Sequence, residues 1–167
     1  MKRKLRALLA LALTLLLLCG CAAGAAESGE NTCTISICCA TLLDKTADLT
    51  PEKAELVPAD GWLLPETQVS FSDGESVFDV LQRVCREQKL HMEFSKTPVY
   101  DSAYIEGISN LYEFDAGALS GWVYSVNGWF PNYGCSRYEL KDGDVILWQY
   151  TCDLGQDVGA ELDEVQT

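Results

Sequence analysis

A chain of 167 residues, 48% hydrophobic and 22% charged, holds enough material for one ordinary domain with a single core. Twelve basic side chains against twenty-five acidic ones give a formal charge of −13. That balance sets nucleic acid aside as a partner, because its phosphates would be repelled.

Lys2, Arg3, Lys4 and Arg6 precede an almost unbroken Leu/Ala run from Leu8 to Leu18. A charged start and a short apolar run form an export signal, too short for a comfortable membrane span. The run ends in Leu18-Cys19-Gly20-Cys21, which resembles a bacterial lipoprotein signal. The resemblance implies that residues 1–20 are removed and that the Cys21 thiol carries a diacylglyceryl group. The alternative is an ordinary secretory signal cut near Ala23 or Ala26. Losing the four basic residues takes the formal charge from −13 to −17. The protein is then expected at the extracytoplasmic face of a cell membrane, held by lipid rather than by charge.

Residues 21–31 are small and polar and read as a flexible tether. A domain spans 32–155, and the acidic residues 156–167 read as a loose tail. Within the domain, Thr32–Leu43 alternates and predicts a half-buried strand. Residues 46–60, broken by Pro51 and Pro58, predict a loop, and Trp62–Phe71 a second strand. Ser76–Lys89 is the main helix: Ser76 and Asp79 have capping-box spacing, and Val77, Phe78, Leu81, Val84 and Cys85 make one apolar stripe. Short strands follow at 92–94, 104–108, 111–114 and 121–126. Asn127-Gly128 is a hairpin signal, and Lys141-Asp142-Gly143-Asp144 a tight turn. Residues 145–152 are apolar on both faces, which predicts a strand in the middle of the sheet. Strands around one crossing helix make an α+β domain, a β-grasp-like mixed sheet packed by that helix.

The aromatic segment from Trp122 to Tyr133 offers the candidate site. Trp122 and Tyr124 share strand parity and one face. Trp129, Phe130, Asn132 and Tyr133 follow the Asn127-Gly128 turn, where exposed rings are harder to explain by packing. The blocks Tyr104-Ile105-Glu106-Gly107-Ile108, Ser120 to Gly128 (SGWVYSVNG) and Tyr138 to Ile146 resemble the transcobalamin C-terminal-like domain of bacteria, domain of unknown function 4430. The resemblance implies a β-grasp-like domain that closes over one face of a cobalamin-like ligand. The larger helical domain of the vitamin carriers has no counterpart in the blocks. The expected function is a lipid-anchored ligand-binding module, for a corrinoid or another cofactor passed to an importer. The alternative is an interaction module for a membrane transporter subunit or another surface protein. The candidate ligand-binding residues are Trp122, Tyr124, Asn127, Trp129, Phe130, Asn132 and Tyr133.

No hydrolase, metalloprotease or phosphate-loop motif occurs, so no catalytic residue, intrinsic cofactor or metal is expected and the chain reads as a non-enzyme. His91 stands alone with Glu93 two residues away, and reads as a surface imidazole. Beyond Cys19 and Cys21 six cysteines remain, an even number that permits disulfides in an exported chain. Cys135 and Cys152 can be drawn as a bridge between neighbouring strands. Cys33 and Cys39 share a strand face and each needs a partner elsewhere, Cys85 on the helix being one for Cys39.

Overall fold

The computed structural model describes residues 30–97 and 102–160. The expected export signal, the expected lipidation site Cys21 and most of the expected tether lie outside the described residues. The elements in chain order are β1 (Asn31–Cys38), a single helical turn α1 (Pro51–Ala54), β2 (Trp62–Phe71), α2 (Val77–Gln88), β3 (Met92–Thr97), β4 (Ser102–Ile108), β5 (Leu111–Tyr112), β6 (Gly121–Val126) and β7 (Val145–Thr151).

Four strands form a mixed sheet in the order β2-β1-β7-β6, with β1 parallel to β7 and the outer pairs antiparallel. The doubly apolar β7 lies inside the sheet, as its composition predicts. A second sheet, β3-β4-β5, is antiparallel. One core joins both sheets to the buried stripe of α2. The fold is α+β, with one main helix. Ser76 caps that helix through a complete capping box with Asp79, which satisfies backbone donors that the first turn leaves unpaired.

Boundaries depart from the sequence pattern: β3 runs to Thr97 rather than Phe94, β5 stops at Tyr112 rather than Phe114, and three departures have a visible cause. The first strand ends at Cys38 rather than at Leu43, because Cys39 leaves extended geometry and Ala40–Asp44 winds into a 3-10 turn. There the Cys39 N–H donates to the Gly61 carbonyl at 2.7 Å. The 46–60 segment holds a 3-10 turn and α1 rather than irregular loop. The tail begins later than residue 156: the Asp157 carboxylate accepts from the Cys152 N–H at 2.7 Å and from the Thr151 hydroxyl, pinning Gln156–Val158 to the end of β7. Residues 161–167 lie outside the described residues.

The six cysteines among the described residues do not pair. Cys33, Cys38, Cys39, Cys85, Cys135 and Cys152 are all free thiols. Cys135 and Cys152 are not on facing strands. Cys135 sits in a 3-10 turn with its thiol donating to the Ala103 carbonyl, and Cys152 lies beyond β7 beside Asp157. Burial pushes the thiols of Cys39, Cys85 and Cys135 from the ordinary 9.0 up to about 12, and that of Cys33 to about 11 against the opposing pull of Arg83. Thiols that resist ionisation are poor nucleophiles.

A raised pKa in the folded state means that folding favours the protonated thiol. Its contribution is complete below about pH 9 and is lost as pH climbs through the folded values. Stability is therefore expected to fall steeply between about pH 9 and about pH 12, read as a declining urea midpoint. An unchanged midpoint across that window would contradict these burials. Iodoacetamide at pH 8 is expected to modify the half-buried Cys152 before Cys33, Cys39, Cys85 or Cys135.

Candidate functional site: a cavity along the edge of β6

Val, Tyr and Trp favour extended backbone, and β6 carries all three. Trp122 and Tyr124 point into the core, and each meets the residue directly opposite on β7. Trp122 stands edge-on to Tyr150 with centroids 5.3 Å apart, and Tyr124 lies tilted against Trp148, also at 5.3 Å. Their polar ends are satisfied. The Trp122 indole N–H donates to the Leu111 carbonyl at 2.8 Å, and the Tyr124 hydroxyl donates to the Tyr133 carbonyl at 2.9 Å.

The Asn127-Gly128 turn forms, with φ of 54° and 79° at its two central residues, the left-handed pair that a two-residue hairpin turn requires. Its return arm is a single bridge from Val126 to Trp129. The chain then leaves the sheet as the segment 129–134, held at its end by the Tyr124 hydroxyl. Gly134 lies so close to β4 that a side-chain carbon there would collide with Ser102. Its glycine is a packing requirement, since no larger residue lets the segment sit against that strand.

Between this segment, Ala103–Ile105 of β4 and Trp122–Tyr124 of β6 lies a cavity of about 510 Å³. Its walls are mostly apolar, with Ile105, Trp122, Tyr124, Phe130, Trp148 and Leu154 prominent. Trp148 is 2% exposed, and its indole N–H is the one buried side-chain donor without a partner among the described residues. An unpaired buried donor costs free energy, and this nitrogen is enclosed by its neighbours rather than open to the cavity.

Of the candidate residues, Trp122, Tyr124, Phe130 and Asn132 line this cavity. Tyr133 lines an adjoining recess with Arg137. Trp129 is 53% exposed and packs edge-on against Tyr133 at 6.1 Å, outside the cavity wall. Asn127 is not part of the site. Its side-chain amide donates to Asp144 at 2.8 Å and its oxygen accepts from the Val145 N–H at 2.9 Å, so it fastens β6 to the start of β7.

Sequence reasoning misses Ala103, Tyr104, Ile105, Leu154 and the cavity-facing role of Trp148. The first three come from a strand of the other sheet, which no local pattern connects to β6. Leu154 and Tyr104 carry a weaker signal as large apolar groups left about half exposed. The His91 ring is exposed, within 2.9 Å of Glu93 and 3.1 Å of the Tyr112 hydroxyl.

Residues 74–152 match the family described as Domain of unknown function (DUF4430). No curated protein matches the sequence. Among solved structures, haptocorrin in complex with Cbi aligns over 75% of this chain with a TM-score of 0.50 at 11% identity. This chain spans 26% of haptocorrin's length. A protein from Ruminococcus gnavus ATCC 29149, described as a "putative metal binding protein", aligns over 73% of this chain and 97% of its own, with a TM-score of 0.43 at 15% identity. The family match leaves β1 and β2 outside it but takes in α2, the three strands of the second sheet, of which β4 lines the cavity, and the β6–β7 pair. Residues 74–152 are thus similar to the DUF4430 family, and the fold resembles part of haptocorrin.

Proposed function

We propose that this protein is a non-enzymatic ligand-binding module, held at the extracytoplasmic face of a membrane by lipid on Cys21, whose cavity takes part of a corrinoid or a similarly large cofactor. The apolar cavity beside β6, walled by Trp122, Tyr124, Phe130 and Leu154, carries this reading. Its size is within the range of about 300–1,000 Å³ that suits a drug-sized ligand, and its walls are apolar. The corrinoid class is supported by the fold shared with haptocorrin, which is solved in complex with Cbi. A corrinoid overfills a cavity of this size, so the domain would cover one face and leave the rest to solvent or to a second protein. Partial burial limits affinity, and a lipid tether offsets that by raising the local concentration at a membrane partner.

Titration of the chain with cobinamide and with cobalamin tests this. Trp122 and Trp148 line the cavity, so their fluorescence is expected to be quenched with saturation, after correction for corrinoid absorbance. Phe130→Ala removes a large apolar wall and is expected to weaken binding by about tenfold or more. Unchanged fluorescence at millimolar ligand would remove corrinoids.

A second reading, docking of another envelope protein, is favoured by a different observation. Tyr104 and Leu154 at the cavity and Tyr133 in the adjoining recess are exposed, as are Phe114, Leu119 and Trp129 on neighbouring segments. The Leu154 N–H donates to the Leu119 carbonyl, and the Phe114 N–H donates to the Ser120 carbonyl next to β6. Apolar surface concentrated at one place marks an interaction site.

A further inference from the structure

The cavity runs along the edge of β6 rather than over a face of the sheet. Trp122 and Tyr124 project to one face and Val123 to the other, yet all three line it. β6 is the outermost strand of its sheet. The direction of its free backbone groups follows from the register. Val126 exchanges both N–H and C=O with Trp129, on the side away from β7, while the Asn127 N–H donates to Val145 of β7. Antiparallel pairing alternates, so Val123 and Ser125 face β7, and Trp122 and Tyr124 present their N–H and C=O outward into the cavity. None of these four groups has a partner among the described residues.

The open stretch is bounded. The Ser120 carbonyl is taken by the Phe114 N–H at 3.0 Å, and Val126 is closed by Trp129 at 2.9 and 3.0 Å. What stays open is two donors and two acceptors about 7 Å apart, the two-residue repeat of a strand. That repeat is matched by another extended backbone. The short window, flanked by the 129–134 segment, suits a slender peptide and not the edge of a second folded domain. Across the gap stands β4, so an inserted strand would lie between the two sheets with a side chain against Ile105, Phe130 and Leu154. A carboxylate stands at the cavity wall: Glu113 accepts from the hydroxyl of Tyr104, which lines the cavity. The whole chain carries −13, so the complementary peptide is basic at the end beside Glu113.

We propose that β6 is a strand-addition site, at which an extended, basic segment of a partner protein pairs its backbone with Trp122 and Tyr124 and seats one apolar side chain in the cavity. This deepens the second reading above, since it names the chemistry of the partner. It uses main-chain hydrogen bonds for affinity and the cavity for choice of side chain.

The test presents the full chain in detergent to an array of acetylated heptapeptide amides with alternating apolar and polar residues and Lys at either end. Binders are expected to prefer Lys at one particular end. N-methylation of the residue that pairs with the edge should weaken them by about tenfold or more, since it deletes a donor and adds bulk at the ladder. Amide exchange at Trp122 and Tyr124 should slow by at least about tenfold on saturation while Val126 keeps its rate, because only the first two gain a partner. Val123→Lys, which places a charge on the edge without touching the core face, should abolish binding and leave the urea midpoint close to that of wild type. The absence of any binder in the array, equal binding by N-methylated peptides, or unchanged exchange at Trp122 and Tyr124 would each overturn the proposal. Cobinamide quenching is measured separately, so a corrinoid can bind where the peptides fail, and the reverse outcome removes only the corrinoid.

Discussion

Trp148→Ala is expected to cost about 3–5 kcal/mol, the usual range for emptying a fully buried aromatic site. That is a large share of the roughly 5–15 kcal/mol that holds an ordinary domain together, so the urea midpoint should fall by a large fraction. The position explains the size. Trp148 sits in β7, the inner strand that pairs with β1 on one side and β6 on the other, directly beside Ile37 and opposite Tyr124. Its loss empties the joint between the two sheets and the floor of the cavity at once. Trp148→Phe separates shape from chemistry. It keeps most of the apolar contact and deletes the indole N–H that has no partner. Removing an unsatisfied donor offsets part of the lost volume, so the cost should be only about 1 kcal/mol. Urea unfolding checks both, with the midpoint shifting at constant slope. Equal losses for the two variants would mean that the indole N–H is satisfied.

Much of this architecture can be read in the residues, and the limits have physical causes. The helix is legible because its cap, stripe and length all point the same way: Ser76, Asp79 and the 77–85 stripe agree before any tertiary contact is considered. The central place of β7 is legible because Ile146, Trp148 and Tyr150 on one face and Val145 and Leu147 on the other make both faces apolar. The end of β1 is not, since Cys39 turns away only because Gly61, far along the chain, brings its carbonyl to that N–H. The candidate site is half legible. Trp122, Tyr124 and Phe130 announce themselves as an aromatic cluster, but the opposite wall of the cavity comes from β4 and depends on Gly134 fitting against Ser102. Asn127 is the instructive error. Its residue type and its place beside exposed rings suit a ligand contact, and only the positions of Asp144 and Val145 show that both ends of its amide are already used.

That reassignment leads to the other large expected effect, at Asp144. The side chain is 5% exposed, and its two oxygens accept from the Lys141 N–H at 2.9 Å and the Asn127 amide at 2.8 Å. Its own carbonyl accepts from the Thr34 N–H at 2.8 Å. One residue thus closes the 141–144 turn, aligns β7 beside β1 and anchors the end of β6. Asp144→Ala leaves two donors without their partner, and losing charge-assisted bonds of this kind costs about 2–4 kcal/mol. Asn127→Gly keeps the left-handed turn accessible and deletes only the amide, so it should cost about 1–2 kcal/mol. The two share one bond, so the double variant should lose measurably less than the sum. A ligand role makes a different demand. If Asn127 touched ligand, Asn127→Gly would weaken cobinamide or peptide binding in protein that is still fully folded. If it acts through Asp144 and Val145, binding at low temperature stays at the wild-type value while the urea midpoint falls. The second outcome is expected, because the edge that meets the ligand, Trp122 to Tyr124, is held to β7 by its own ladder and lies beyond the reach of the Asn127 amide.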